Sequence, residues 1–406
     1  MKKNIVVGQS GGPTAVINAS LYGVIAEGMK HGDEIGHVYG MLNGIEGFMQ
    51  DRYMDLSGEL GAEELEILKQ TPAAYLGSCR YKLPEDLSSN FYPMIFEKLE
   101  RLEIGYFFYI GGNDSMDTVS KLSRYAETIG SAIRFIGVPK TIDNDLIHTD
   151  HTPGYGSAAK YVAATVREIA MDASVYQQKA VTIVELMGRH AGWLTAASVL
   201  ARKEAGDNPL LVYLPEADFD LEQFAVDVKQ ALDRQPNVVV CVSEGISDKD
   251  GKFICEYDNA AQTDSFGHKM LTGSGKVLEA FIRNRYGVKV RSVELNVSQR
   301  CSGMVASLTD IEEAAAAGAA GVQAALAGMT GKMIAFCRKE ADGYELECRT
   351  EDVNEICNRE KKFPAEWIIK NGTDIGPEFW DYARPLIQGE AKRKMKDGLP
   401  VYLYRR

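Results

Sequence analysis

The sequence predicts an α/β protein built from two doubly wound, Rossmann-like parallel sheets. Three observations carry that expectation: the chain is long, its apolar runs alternate with helix-like patterns, and several runs stop at loops rich in Gly, Asp and Asn. At 406 residues the chain exceeds what one hydrophobic core usually organises, so two domains are expected. Strand-like runs fall at residues 4–8, 106–110, 135–138, 180–186, 210–214, 238–243, 290–295 and 332–337. Between them, residues 16–30, 117–129, 158–173 and 221–233 repeat apolar side chains at helical spacing. Alternation of this kind argues parallel strands joined by helices on both faces. No low-complexity linker or repeat interrupts it, and after Gly343 the chain turns more polar with only short elements.

The first strand runs into Gly8-Gln9-Ser10-Gly11-Gly12-Pro13-Thr14-Ala15, a glycine-rich turn leading to a helix. Glycine lets backbone N–H groups approach an anion, and the helix N-terminus adds partial positive charge. The spacing is not the GxGxxG of a dinucleotide fold, and by itself it reads equally well as a tight turn. Leu76-Gly77-Ser78-Cys79-Arg80 presents an arginine from a Gly-Ser turn, although a lone surface arginine is commonly just an ion pair.

The runs 106–110 and 133–138 end in Gly111-Gly112-Asn113-Asp114-Ser115 and Pro139-Lys140-Thr141-Ile142-Asp143-Asn144-Asp145. Both read as buried strands opening at their carboxyl ends, the edge where an open α/β sheet binds ligands. Asp114, Asp143 and Asp145 are therefore expected in one crevice, with Lys140 beside them. Acids hold Mg²⁺ or take a proton, and a lysine with backbone N–H groups cradles phosphate, so the set suits phosphoryl transfer. The plainer alternatives are an Asx-rich turn at 143–145 and an Asp capping the helix near Met116.

Further along, Met187-Gly188-Arg189 follows the run 181–186, and Glu244 ends the run 238–243. Gly273-Ser274-Gly275-Lys276-Val277 tempts toward a phosphate-binding P-loop but fails: Met270 stands at the first glycine and Val277 replaces the metal-binding hydroxyl. Arg291 and Arg300 bracket a short polar stretch. The run 314–329, rich in Ala and Gly, is too weakly hydrophobic to span a bilayer and reads as a helix packed closely on a sheet.

A net charge of −12 argues against nucleic acid or anionic membrane as partners. Seven cysteines and six histidines without metal-like spacing point to reduced thiols in a cytoplasmic protein and to no zinc site. The start Met1-Lys2-Lys3 is followed by too short an apolar stretch for a signal peptide.

Gly111–Ser115, Pro139–Asp145 and Met187–Arg189, in this order, resemble three signature segments of the phosphofructokinase family. The resemblance runs from Gly8 to about Arg300, and less closely to Arg384 in Tyr382-Ala383-Arg384-Pro385-Leu386. Asp114 and Lys140 resemble the pyrophosphate-dependent branch in particular. ATP-using relatives carry Gly at both positions; a carboxylate at 114 would clash with a nucleotide, and Lys140 suits a compact anion. The resemblance implies a phosphoryl-donor domain at residues 1–157 with about 300–340. A sugar-phosphate domain would comprise 158–299 with part of 341–406, the chain crossing between them more than once.

The implied reaction is Mg²⁺-dependent, reversible transfer of phosphoryl from diphosphate to the C1 hydroxyl of fructose 6-phosphate, in glycolysis or gluconeogenesis. Asp143 would be the base; Gly12, Asp114, Ser115 and Lys140 would hold diphosphate; Asn113, Asp114 and Asp145 would surround the metal. Arg80 and Arg189 would offset transition-state charge. Thr141, Met187, Gly188, Glu244, Arg291, Arg300 and Arg384 would hold the sugar phosphate, with Lys179 from a neighbouring subunit of a homodimer or homotetramer. Two departures stand out: Asn113 replaces a usual metal-binding Asp, and Val297 a usual His or Tyr. The rival readings are an ATP enzyme, a preference for sedoheptulose 7-phosphate, a non-catalytic sugar-phosphate sensor, and a nucleotide-binding oxidoreductase.

Overall fold

The computed structural model describes residues 2–204, 206–257, 273–339 and 343–405. Eleven strands build its two main sheets: β1 (Lys3–Gln9), β2 (Ile35–Met41), β3 (Tyr53–Asp55), β4 (Ile104–Gly111), β5 (Arg134–Pro139), β6 (Ala180–Leu186), β7 (Leu211–Tyr213), β8 (Asn237–Ser243), β9 (Lys289–Glu294), β10 (Lys332–Arg338) and β11 (Leu346–Asp352). The longer helices are α1 (Ile17–Lys30), α2 (Asn113–Thr128), α3 (Tyr155–Ser174), α4 (Leu221–Arg234), α5 (Ser274–Tyr286) and α6 (Leu308–Leu326). Every strand-like run read from the sequence forms a strand, and all four helical patterns form helices.

The chain divides into two compact units, Met1–Ser157 with Arg300–Glu360 and Gln388–Arg406, and Ala158–Gln299 with Lys361–Ile387. In the first unit the strand order is β11-β10-β5-β4-β1-β2-β3. The central pairs are parallel, but β3 and β11 run antiparallel at the two edges. Each edge strand follows its neighbour through a short connection, which reverses direction where a long crossover would preserve it. Side chains alternate between two buried faces: Ile5 and Val7 join Leu21, Phe108 and Val138 on one, Val6 joins Phe107, Met116 and Phe135 on the other. Burial on both faces is why these strands read as unbroken apolar runs.

Helices α1 and α6 pack together over the first face. A β-carbon at Gly23 would lie 2.0 Å from the Ala315 carbonyl oxygen, and one at Gly318 would lie 2.1 Å from that of Ser20. The Ala- and Gly-rich run thus serves close contact with another helix as well as with the sheet.

The second unit holds the all-parallel order β7-β8-β6-β9. Its core gathers Val181, Ile183, Val238 and Val240 with Phe224 of α4 and Leu278 of α5. Residues 361–387 join this unit through an aromatic cluster in which Trp193 meets Phe363, Trp367 and Tyr382. No described helix is long and apolar enough to cross a membrane.

Candidate active site

In the first unit β1, β4 and β5 lie side by side, with Gln9 opposite Ile110 and Gly111 opposite Pro139. Their carboxyl ends are therefore level, and the three loops predicted to carry chemistry emerge together. Gly11 turns the chain after β1 at φ +75°, a conformation most side chains disfavour. Residues 76–80 are fastened to this turn: Gly11 N donates to the Cys79 carbonyl (3.1 Å), and the Ser78 hydroxyl donates to that of Gly11 (2.6 Å). That strap delivers Arg80. The hydroxyls of Ser10 and Ser115 join the first and second loops at 2.7 Å.

Lys140 closes the arrangement. Its backbone N–H donates to Gly111 O (2.9 Å), and its Nζ donates to Gly12 O (2.7 Å). The residue is only 3% exposed. Burial pushes its pKa down to about 8; Asp143 and Asp145 oppose that fall, while Arg300 and Arg80 add to it. A β-carbon at Gly12 would sit 3.2 Å from Arg300 Nη1. Lys140 and Arg300 thus both stand beside the glycine turn of the first unit.

The loop after β5 is held by its own hydroxyls and one asparagine. Thr141 Oγ1 accepts from Asp143 N (3.1 Å), and Thr152 Oγ1 donates to Thr141 O (2.8 Å). Asn144, buried and left-handed at φ 56°, accepts from Thr152 N through Oδ1 (3.1 Å). Asp145 Oδ1 is buried with no hydrogen-bond partner. Burial raises the pKa of this carboxyl and the charge of Glu360 adds to the rise, against the Thr141 hydroxyl and Lys140.

Two neighbours make contacts the sequence did not announce. The Asn113 amide donates to Arg359 O and accepts from Asn358 N, both at 2.5 Å. It ties residues 358–359 to the start of α2. The Asp114 side chain is exposed, 3.5 Å from Lys82 Nζ.

In the second unit the loops after β6 and β8 interlock. Gly188 lies at φ +125°, its missing side chain facing the Ala191 carbonyl at 2.6 Å. The Ser243 hydroxyl donates to Gly188 O (2.7 Å), Glu244 Oε1 accepts from Gly188 N (3.4 Å), and a β-carbon at Gly245 would strike Arg189 O. Gln299, buried, accepts from Met187 N (3.3 Å) and donates to Asn296 O (3.0 Å). Arg189 keeps a buried Nε with no hydrogen-bond partner. Met187, Gly188, Arg189 and Glu244 are thus brought together at one strand edge.

Lys179 and Arg291 stand apart from this cluster within the chain, and Arg384 makes a contact of its own. Lys179 precedes β6 and pairs with Asp233 at 3.1 Å, placing it at the opposite end of the strand from Met187. At ~3.3 Å per residue that is about 26 Å away, so within this chain Lys179 is not part of the cluster. Arg291 lies opposite Thr182, toward the amino end of the same sheet. Arg384 stacks on Trp380 at 4.9 Å. Sequence reasoning passed over Ser243 and Asn144; the position of Asn144 between two acids was the available signal.

The phosphofructokinase family model matches residues 4–325. The chain is 40% identical over 405 residues to the pyrophosphate–fructose 6-phosphate 1-phosphotransferase of Methylococcus capsulatus, covering 99% of this chain and 95% of the relative. It is 34% identical over 345 residues to the sulfofructose kinase of Alkalicoccus urumqiensis, covering 84% and 86%. The crystal structure of a pyrophosphate-dependent phosphofructokinase from Marinobacter aquaeolei superposes with a TM-score of 0.89 at 38% identity, covering 98% of this chain and 95% of the other. With level loops of glycine, lysine and aspartate on the first sheet and this likeness along nearly its whole length, the chain belongs to the phosphofructokinase family.

Proposed function

We propose that the protein is a pyrophosphate-dependent 6-phosphofructokinase, moving a phosphoryl group reversibly between diphosphate and O1 of fructose 6-phosphate. The observation that carries the donor choice is Lys140, a buried cation pinned to the Gly12 carbonyl at the mouth of the first glycine turn. A short, highly charged donor matches such a fixed point charge. Asp114, in the first turn of α2, carries a carboxylate where the resemblance places glycine in ATP-using relatives, and it would clash with a nucleotide there.

In the forward direction Asp143 accepts the proton of the C1 hydroxyl as O1 bonds to phosphorus. The bridging P–O bond breaks, and its electron pair leaves with inorganic phosphate. Lys140, Arg80 and Arg300 bind the departing phosphate, and Arg189 offsets charge on the moving group. Such preorganised cations are worth about 2–4 kcal/mol each in comparable sites. Met187, Gly188, Glu244 and Arg384 hold the sugar phosphate, with Thr141 beside the base.

A divalent cation fits the residues present. The buried Asp145 Oδ1 lacks a partner, and a cation satisfies such an oxygen. Among the described residues no three His, Cys, Asp or Glu side chains form a closed metal cluster. That suits Mg²⁺, which commonly binds one or two carboxylates and completes its shell with substrate phosphate and water. Asp145 and Asp114 would hold it, and it would neutralise charge on the diphosphate. All seven cysteines are thiols, consistent with a cytoplasmic enzyme, and a homodimer or homotetramer completes the proposal.

Initial rates of the purified protein test the reading, with diphosphate or ATP as donor and fructose 6-phosphate, sedoheptulose 7-phosphate or sulfofructose as acceptor. Diphosphate with fructose 6-phosphate is expected to win by at least a hundredfold over ATP. The double variant Asp114→Gly, Lys140→Gly is expected to narrow that ratio tenfold or more. A wild-type preference for ATP overturns the reading.

A further inference from the structure

We infer that Asp310 is a positioning residue for the catalytic base, acting through the backbone of residues 152–154. The inference rests on the reading of Asp143 as base. Asp310 lies in the first turn of α6, is 2% exposed, and touches none of the reacting groups named above. Its two carboxylate oxygens accept from separate N–H groups, Oδ1 from Gly154 (2.9 Å) and Oδ2 from Ser157 (2.8 Å).

Gly154 is the bridge partner of Thr141, and Thr141 N donates to Pro153 O at 3.2 Å. Thr152 Oγ1 returns a bond to Thr141 O (2.8 Å), and Thr152 N fixes Asn144 (3.1 Å). Thr141 in turn accepts from Asp143 N. Asp143 therefore sits between two residues, Thr141 and Asn144, that are both fastened to a segment Asp310 pins from behind. A β-carbon at Gly154 would lie 2.8 Å from Thr14 Cγ2, so the segment is also packed closely against the glycine turn.

The chemistry of the pin is specific. Only a carboxylate offers two acceptor oxygens and no donor to two converging N–H groups. An amide of the same shape would present NH₂ to one of them. Loss of one bond lets the 152–154 segment drift by a fraction of an ångström, and displacements of about 1 Å at a base cost up to a hundredfold in rate.

The test measures kcat, both KM values and thermal stability for Asp310→Asn, Thr152→Val, their combination, Asp143→Asn, and Asp374→Asn. Asp374 is a buried acid of the second unit bound to Arg202, and it reports general destabilisation. Asp310→Asn is expected to lower kcat about tenfold with each KM within threefold. Thr152→Val is expected to lower kcat about fivefold, and the pair should fall no more than twofold below Asp310→Asn alone. Asp374→Asn should lose stability while keeping kcat.

Wild-type kcat in Asp310→Asn, or a double variant whose loss is the product of the singles, overturns the inference. Should Asp310→Asn not fold, Thr152→Val with wild-type kcat overturns it equally. An Asp143→Asn enzyme that keeps most of its turnover overturns the base assignment, and this inference with it. An inactive Asp143→Asn beside a fully active Asp310→Asn overturns this inference alone.

Discussion

At the residue scale the informative group is Lys140. Burial holds its ammonium to a pKa of about 8, so it is charged below that pH and neutral above it. An anion that depends on the charge should bind less well as pH rises through about 8. The ratio kcat/KM reports the free enzyme, so kcat/KM for diphosphate is expected to fall about tenfold per pH unit above that point. Lys140→Met should start at least a hundredfold lower and lose this limb, and a variant that retains the limb would assign it to another group. Lys140, Asp143 and Asp145 were legible because each follows a strand end by a few residues. The tether at Asn113 was not: its partner Asn358 lies 245 positions away, and nothing local in Gly-Gly-Asn-Asp-Ser signals it.

At the element scale, buried parallel strands announced themselves as apolar runs, whereas β2 did not because Gly36 and Gly40 interrupt it and three of its residues are partly or fully exposed. The failed P-loop at Gly273–Lys276 also finds its explanation here. Glu185 of β6 accepts from Gly273 N (3.1 Å) and Gly275 N (2.7 Å), so a protein carboxylate fills the place an anion would take at the start of α5. The α1–α6 contact yields a paired prediction. Gly318→Ala drives a methyl into the Ser20 carbonyl and forces the helices apart, while Gly321→Ala finds ordinary contact with Val138, Ile136 and Phe108 at 3.5–3.6 Å. Overpacking costs about 1–3 kcal/mol, and replacing a helical glycine recovers up to about 1 kcal/mol. Gly318→Ala is expected to lower Tm by about 2–4 °C, and Gly321→Ala to leave it unchanged or slightly raised. Equal effects from the two, measured by calorimetry, would remove the close-packing explanation.

Across the whole molecule the segments of each unit come from distant parts of the chain, which passes between units after Ser157, Gln299, Glu360 and Ile387. Only the resemblance, and no linker composition, signalled that interleaving. Several buried ionisable groups set how folding responds to pH, and most push the same way. Burial raises Glu185 to about 7 from an ordinary 4.5, with Glu294 adding and the two glycine N–H groups opposing. Burial likewise raises Asp310 to about 6 from 3.8. His151 is buried, which opposes its charge, yet Asp150 and Glu313, each at 2.8 Å, outweigh burial and raise its pKa. For all three, the folded state holds its proton to higher pH than the unfolded chain does, so stability falls as pH rises through each window. Those windows run from about 4 to 6 for Asp310 and 4.5 to 7 for Glu185, and begin at 6.5 for His151. The net charge of −12 adds self-repulsion in the same direction. On the acid side the balance reverses: Glu279, held at about 2 by Ser292 and Lys276 despite partial burial, contributes stability that is lost once pH drops below its ordinary 4.5. Stability is therefore expected to peak near pH 5 and to decline toward pH 8. Glu185→Gln should flatten the decline between pH 4.5 and 7 by at most about 3 kcal/mol, because a tenfold change in proton affinity is worth about 1.36 kcal/mol. Denaturant titrations at pH 5.5 and 8 read this directly. A protein more stable at pH 8, or a Glu185→Gln variant whose slope matches the wild type, would mean that these buried acids ionise without cost to the fold.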